Sequence, residues 1–194
     1  MEKMILNEQE ALDVCARLGR DIDAQIDKDG TIIPIFLGVM NGALPFLYEL
    51  VKHVKHLLQI DFIKVSSYSG TQTTGKLTIQ KEPDRNLEGK DVYLIEDIID
   101  TGITMHHLIQ YIKDVYKPRH LYVVVLAKRV IKDALYDVQA DFTGIYIDDP
   151  RYVLGFGFDY YGLGRSLPYV FIPSEEEKRE WEAMLKADDP NFQP

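Results

Sequence analysis

The sequence has a single cysteine, no long apolar run and a shortage of positive charge. Cys15 alone cannot close an internal disulfide, which excludes a disulfide-stapled module and makes a reducing, cytoplasmic setting the expectation. No stretch approaches the roughly 18–20 apolar residues that a membrane-spanning helix needs, so no membrane partner is expected. The opening Met1-Glu2-Lys3-Met4-Ile5-Leu6-Asn7-Glu8 lacks the apolar core of a signal peptide, and nothing in it indicates export. Lys and Arg number 22 against 31 Asp and Glu, for a net charge of −9. That balance disfavours nucleic acid as a partner, and an anionic ligand must be held by local donors. Internal repeats, low-complexity segments and interdomain linkers are also missing.

What is present suits one globular unit: 194 residues, 46% hydrophobic and 27% charged. Asn7 with Glu10 makes a capping-box start. Leu12, Cys15, Leu18, Ile22 and Ile26 then follow helical spacing, and Asp29-Gly30 stops the helix. Cys15 therefore reads as core and not as a nucleophile. Strands are expected at residues 31–39, 57–67, 77–80, 121–127, 142–147 and 169–172, with Pro34 marking an irregularity or an edge. A second helix follows Met40-Asn41-Gly42-Ala43, marked by Leu47, Leu50, Val51 and Val54. Ser174 with Glu177 caps a short last helix carrying Trp181, Met184 and Leu185. Such alternation predicts an α/β fold with a mainly parallel sheet flanked by helices. One domain is expected, with a core at about residues 30–150 and a small hood from residues 1–29 and 150–194.

Two glycine patterns fail. Gly70 to Lys76 fits the phosphate-loop spacing, but Leu77 stands where a hydroxyl is required and a strand follows. Gly155, Gly157, Gly162 and Gly164 miss the dinucleotide spacing. His106-His107 and the pair His53 and His56 lack a third ligand, so a zinc site is not expected.

The most informative stretch runs from Val92 to Thr104. Val92-Tyr93-Leu94-Ile95 has the pattern of a strand buried on both faces. Glu96 and Asp97 follow where that strand leaves the core. Asp100-Thr101-Gly102 suits a tight turn, and helical spacing begins at Ile103, with Leu108, Ile112 and Val115 on one face. Carboxylates and a polar turn thus fall at the C-terminal edge of a parallel sheet, where open α/β folds bind ligands. Backbone N–H groups entering the helix favour phosphate, Thr101 and Thr104 add hydroxyls, and Gly102 allows close approach. Three carboxylates beside a phosphate must face hydroxyls or a divalent cation, as with a sugar phosphate and Mg²⁺. The residues alone also permit a solvated strand end with Asp100 as a helix cap.

Glu96-Asp97-Ile98-Ile99-Asp100-Thr101-Gly102-Ile103-Thr104-Met105 resembles the phosphoribosyl pyrophosphate (PRPP) signature of the type I phosphoribosyltransferases, in the form of the hypoxanthine–guanine branch. The resemblance covers about residues 30 to 172. It implies the type I phosphoribosyltransferase fold and transfer of 5-phosphoribosyl from PRPP to a purine base, giving nucleoside monophosphate and pyrophosphate, with Mg²⁺ as cofactor. It implies that Asp100 takes the proton from purine N7, while Glu96 and Asp97 hold the ribose hydroxyls. The turn of Asp100, Thr101, Gly102, Ile103 and Thr104 would bind the 5′-phosphate, with Ile103 replacing a frequent lysine. Asn41 and Gly42 match the pyrophosphate loop, Asn41 again standing at a lysine position. The Ser67-Tyr68 pair resembles the part of a flexible loop that closes over the reacting sugar, and Arg165 the arginine that reaches pyrophosphate. Lys128 would bond the exocyclic oxygen of the purine, Tyr152 would stack on the base, and backbone near Val153 and Asp159 would read its edge. Glu96, Asp97 and Asp159 are the implied metal ligands, and homodimers or homotetramers are usual. A transferase for xanthine or another base, and a non-catalytic PRPP or nucleotide sensor, stay open as alternatives.

Overall fold

The computed structural model describes residues 1–67, 77–131 and 136–193. In chain order the elements are β1 (Lys3–Leu6), α1 (Glu8–Asp29), β2 (Ile35–Met40), α2 (Ala43–Val51), β3 (Gln59–Ser67) and β4 (Leu77–Lys81). Then come β5 (Asp91–Ile99), α3 (Ile103–Tyr116), β6 (His120–Arg129), β7 (Phe142–Ile147), β8 (Val170–Ile172) and α4 (Glu175–Asp188). Six strands form the main sheet in the order β4-β3-β2-β5-β6-β7. All neighbours pair in parallel except β4, which runs antiparallel to β3.

The first helix is specified as its sequence suggests. Asn7 accepts from the Glu10 N–H while Glu10 accepts from the Asn7 N–H, and Gly30 ends the helix in the left-handed region. α1 and α2 cover one face of the sheet, where Leu18, Ile22 and Phe46 join Phe36, Tyr93 and Val124. α3 covers the other face through Met105, Leu108 and Ile112, against Leu37, Leu94 and Val125. Cys15 is buried, and burial raises its thiol pKa to about 12, so it is an inert core group.

Several expectations need correction. α1 packs on the main sheet, while residues 1–6 meet the hood: β1 pairs antiparallel with β8, and Met1 and Glu2 ion-pair with Glu177 and Arg151. Pro34 lies just before β2, which is an interior strand: it offers its carbonyl to the Gln59 N–H, and the ladder starts at Ile35. Val115 is exposed, because the buried stripe of α3 runs through residues 105, 108 and 112. α4 spans 14 residues, none of them buried, and touches the hood where Tyr160 donates to Glu182 and lies near Trp181.

His56, outside any ligand site, ties α1 to the segment after α2. Its Nδ1 lies 2.7 Å from Asp23 Oδ1 and its Nε2 lies 3.2 Å from Asp27. The bond with Asp23 holds the imidazolium above the usual histidine range. This contribution is full below the unfolded histidine pKa of roughly 6.5 and is lost as pH rises through the folded value. The melting temperature should therefore fall above about pH 6.5 more in the wild type than in His56→Gln. Equal slopes for the two proteins would show that the pair contributes nothing.

Candidate active site at the sheet's C-terminal edge

The chain leaves β2 toward β3 and leaves β5 toward β6, in opposite directions along the sheet. Between β2 and β5 there is therefore a topological switch point, where turns diverge and leave a crevice. The turn after β2 carries Asn41 and Gly42; the end of β5 carries Glu96, Asp97 and Asp100. The two meet without clearance: a Cβ at Gly42 would lie 1.8 Å from Asp97 Oδ2. The Met40–Asn41 peptide here is cis.

Side-chain alternation slips by one residue within β5. Tyr93 and Ile95 face α1 and α2, yet so does Ile98, while Ile99 faces α3. The slip lies at Glu96 and Asp97, whose carboxylates accept from the backbone N–H groups of Asp97 and Ile98 at 3.0 and 2.6 Å. Burial, and then the charge of Asp97, push the Glu96 carboxyl well above the usual carboxylate range. Burial also raises Asp97, and the Arg165 guanidinium acts against the rise in both. The pair titrates as a unit. Ligand hydroxyls or a cation would relieve it.

At the next turn, Gly102 adopts φ +79°, and a Cβ there would meet the Tyr136 carbonyl at 2.2 Å. Among the described residues no side chain caps α3, so the N–H groups of its first turn lack a side-chain acceptor there. They adjoin a cavity of about 260 Å³ lined by Glu96, Asp100, Thr101, Gly102 and Thr104. Asp100 does not serve as the cap: its carboxylate ion-pairs with Arg129 Nε at 2.9 Å.

A second cavity, of about 240 Å³, opens toward the hood and is lined by Asp97, Asp100, Arg129, Tyr152, Val153 and Asp159. Ile98 and Asp100 border both cavities. Arg165 donates to the Gly157 carbonyl at 2.7 Å and pairs at 2.6 Å with Asp159, which lines this cavity.

Residues 1–152 match the family model described as "Phosphoribosyl transferase domain". The chain belongs to the phosphoribosyltransferase family. A "Hypoxanthine-guanine-xanthine phosphoribosyltransferase" of Tritrichomonas foetus is 42% identical over 142 residues, covering 73% of this chain and 76% of that protein. A "Hypoxanthine-guanine phosphoribosyltransferase" of Bacillus subtilis (strain 168) is 34% identical over 173 residues, covering 89% and 93%. Among solved structures, a "Hypoxanthine Phosphoribosyltransferase" from Staphylococcus aureus superimposes with a TM-score of 0.82 at 32% identity, covering 91% of this chain and 94% of that one. The expected fold, a mainly parallel sheet flanked by helices with a small hood, is thus that of a phosphoribosyltransferase.

Around this family crevice the structure gathers Asn41, Gly42, Glu96, Asp97, the turn from Asp100 to Thr104, Tyr152, Val153, Asp159 and Arg165. Tyr68 lies outside the described residues, and Ser67 is described only as the end of β3. Lys128 points elsewhere. β6 slips as β5 does, with Leu126 and Ala127 both entering the α1 side of the core. Lys128 is thereby turned toward Ile99 and Tyr136, and its Nζ pairs with Asp137 at 3.0 Å. Arg129 is turned toward the hood instead. Arg129 was not singled out from the sequence, where the resemblance named Lys128 and regular alternation offers no sign of a slip.

No metal-ligand set forms from Glu96, Asp97 and Asp159 together. Among the described residues the one convergence of three such ligands joins Asp29, Asp91 and His120, at the opposite edge of the sheet. Arg119 ion-pairs with Asp91, and Tyr122 donates to Asp29, so protein groups already balance that cluster. Glu96 and Asp97 still fit Mg²⁺, which takes one or two carboxylates and completes its shell with water and ligand phosphate.

Glu96→Gln removes a charge that the folded state disfavours. With a raised folded pKa, the cost is absent at acid pH, where the carboxyl is protonated folded or unfolded, and grows as pH rises. Glu96→Gln should raise the melting temperature more at about pH 8 than at about pH 4. An equal or lower melting temperature at the higher pH would contradict the crowding of this pair.

Proposed function

We propose that the protein is a purine-salvage phosphoribosyltransferase that moves the 5-phosphoribosyl group of PRPP to hypoxanthine or guanine. The observation that carries this reading is the pair of adjoining cavities: one suits a sugar phosphate, the other a flat base, and Asp100 stands at their junction. Phosphate would take the N–H groups of the uncapped α3 turn, with Thr101 and Thr104 hydroxyls, and Ile103 contributing its backbone only. Glu96 and Asp97 would accept from the ribose hydroxyls. Asn41, Gly42 and Arg165 would surround pyrophosphate, Arg165 exchanging Asp159 for it. Tyr152 would stack on the base, and Val153 and Asp159 would read its edge. Lys128 would have to leave Asp137 to reach the exocyclic oxygen of the purine.

In the reaction the C1′–O bond to pyrophosphate breaks, positive charge develops over C1′ and the ring oxygen, and purine N9 attacks C1′. The proton on N7 passes to Asp100. Mg²⁺, when bound, would offset the charge of the leaving pyrophosphate. Ser67 and Tyr68 would close the site against water. One 194-residue unit would do this. A reducing, cytoplasmic setting is supported by the lone buried Cys15. Self-association into homodimers or homotetramers is supported by apolar surface at Leu44, Tyr48, Leu57 and Ile60.

Xanthine as a further base is supported by the name of the Tritrichomonas foetus relative. A sensor that binds nucleic acid is disfavoured by the charge of −9. The test is incubation with PRPP, Mg²⁺ and each base separately, with nucleotide and pyrophosphate measured together. Equimolar products with hypoxanthine or guanine are expected; PRPP binding without turnover of any purine would overturn the reading.

Asp100→Asn should lower the single-turnover rate by about 10²–10⁴, as loss of a general base does. A change below about threefold would remove Asp100 from proton transfer. Lys128→Met should weaken 6-oxopurine binding about ten- to a hundredfold while PRPP affinity holds. Unaltered base binding would leave Lys128 as the partner of Asp137 only.

A further inference from the structure

Arg129 is the one cation that Asp100 pairs with among the described residues. Its side chain is 10% exposed, whereas that of Asp100 is 53% exposed. While Nε faces Asp100, Nη1 donates to the carbonyls of Asp149 and Arg151, the latter at 3.3 Å. Those carbonyls belong to the segment that delivers Tyr152 and Val153 to the base cavity. The segment is itself pinned: the Arg151 side chain grips Asp149 through Nε and Nη2 at 2.9 and 2.7 Å. One guanidinium therefore joins the turn after β5 to the hood.

We propose that Arg129 is a positioning residue, which fixes the Asp100 carboxylate relative to the wall of the base cavity. Asp100 needs such a partner. It sits on a turn, half in solvent; its carboxylate does not cap α3, and its contact with Arg129 is an ion pair, with no side-chain hydrogen bond to it among the described residues. A free carboxylate there would sample several rotamers, of which a proton acceptor at the base can use one. Arg129 restricts that freedom by offering a close charge whose own place is fixed by backbone carbonyls. Its planar fork serves two directions at once, Asp100 through one edge and two carbonyls through the other. A lysine at this position carries its three donors on one nitrogen and lacks the planar fork that spans both directions. The slip in β6 is what aims Arg129 here, since regular alternation would have turned it to the α3 face.

Arg129's role rests on the transfer reaction proposed above, so the experiment first confirms PRPP-dependent nucleotide formation by the wild type. Failure there refutes that reaction and, with it, the role given to Arg129; wild-type turnover without the losses below refutes the role alone, so the two failures are distinguishable. Single-turnover rates and KM values are then measured for Arg129→Gln, Arg129→Lys, Asp100→Asn and the double variant Asp100→Asn with Arg129→Gln. A misplaced reacting group costs up to about a hundredfold in rate. Both Arg129 variants should therefore lose about ten- to a hundredfold in the chemical step, with the KM for PRPP within about twofold of wild type. The double variant should be no slower than Asp100→Asn alone, because the position of an absent base no longer matters. Multiplicative losses in the double variant, or full activity in Arg129→Lys, would overturn the proposal. If Arg129→Gln does not fold, Arg129→Lys, alone and with Asp100→Asn, carries the same comparison.

Discussion

Everything at the crevice depends on how closely two turns meet. Gly42, after β2, leaves no room for a Cβ beside Asp97, at the end of β5. With that side closed, Asp97 and Glu96 turn their carboxylates onto neighbouring backbone N–H groups and stay half-buried, crowded and reluctant to ionise. The crowded pair is therefore electrostatically unfavourable in a way that a ligand can relieve. Hydroxyl donors or a cation supply what the chain withholds, and part of the binding free energy comes from ending that mismatch.

The surrounding elements extend the same logic. α3 starts at a glycine with no capping side chain, so its orphan N–H groups remain for a ligand. Arg165 is parked on Asp159 and Lys128 on Asp137, each cation held by a partner that a more strongly charged or better placed acceptor can replace. The Arg129–Asp100 pair differs, since Arg129 is also anchored to backbone carbonyls of the hood. Exchangeable pairs suit groups that meet substrate. An anchored pair suits a group that must stay still.

Much of this was legible in the sequence. The alternation of apolar runs and helical spacing gave the layered fold, because burial on both faces leaves a strong local pattern in Val92–Ile95 and in Leu121–Ala127. The acidic pair and the polar turn at Asp100 were legible for the same reason: they are adjacent in the chain. Three features were not. β1 is four residues long and owes its existence to β8, far away in sequence, so no local signal announces it. Val115 continued the helical spacing but lies beyond the contact that α3 makes with the sheet. The slips at Glu96–Asp97 and Leu126–Ala127 exchange the faces of all that follows, and a period of two read along the sequence cannot show them. Lys128 was named from the family resemblance, and no local pattern marked Arg129 as the residue that faces the hood.

The central claim is that ligand binding lowers the carboxyl pKa values that burial and mutual crowding raise at Glu96 and Asp97. Calorimetric titration of PRPP with Mg²⁺, in buffers of different ionisation enthalpy, counts the protons exchanged on binding. Just above the ordinary carboxylate range, the wild type should release more protons than Glu96→Gln, after subtraction of the release that PRPP and Mg²⁺ show without protein. Equal proton release by the two proteins would contradict the account.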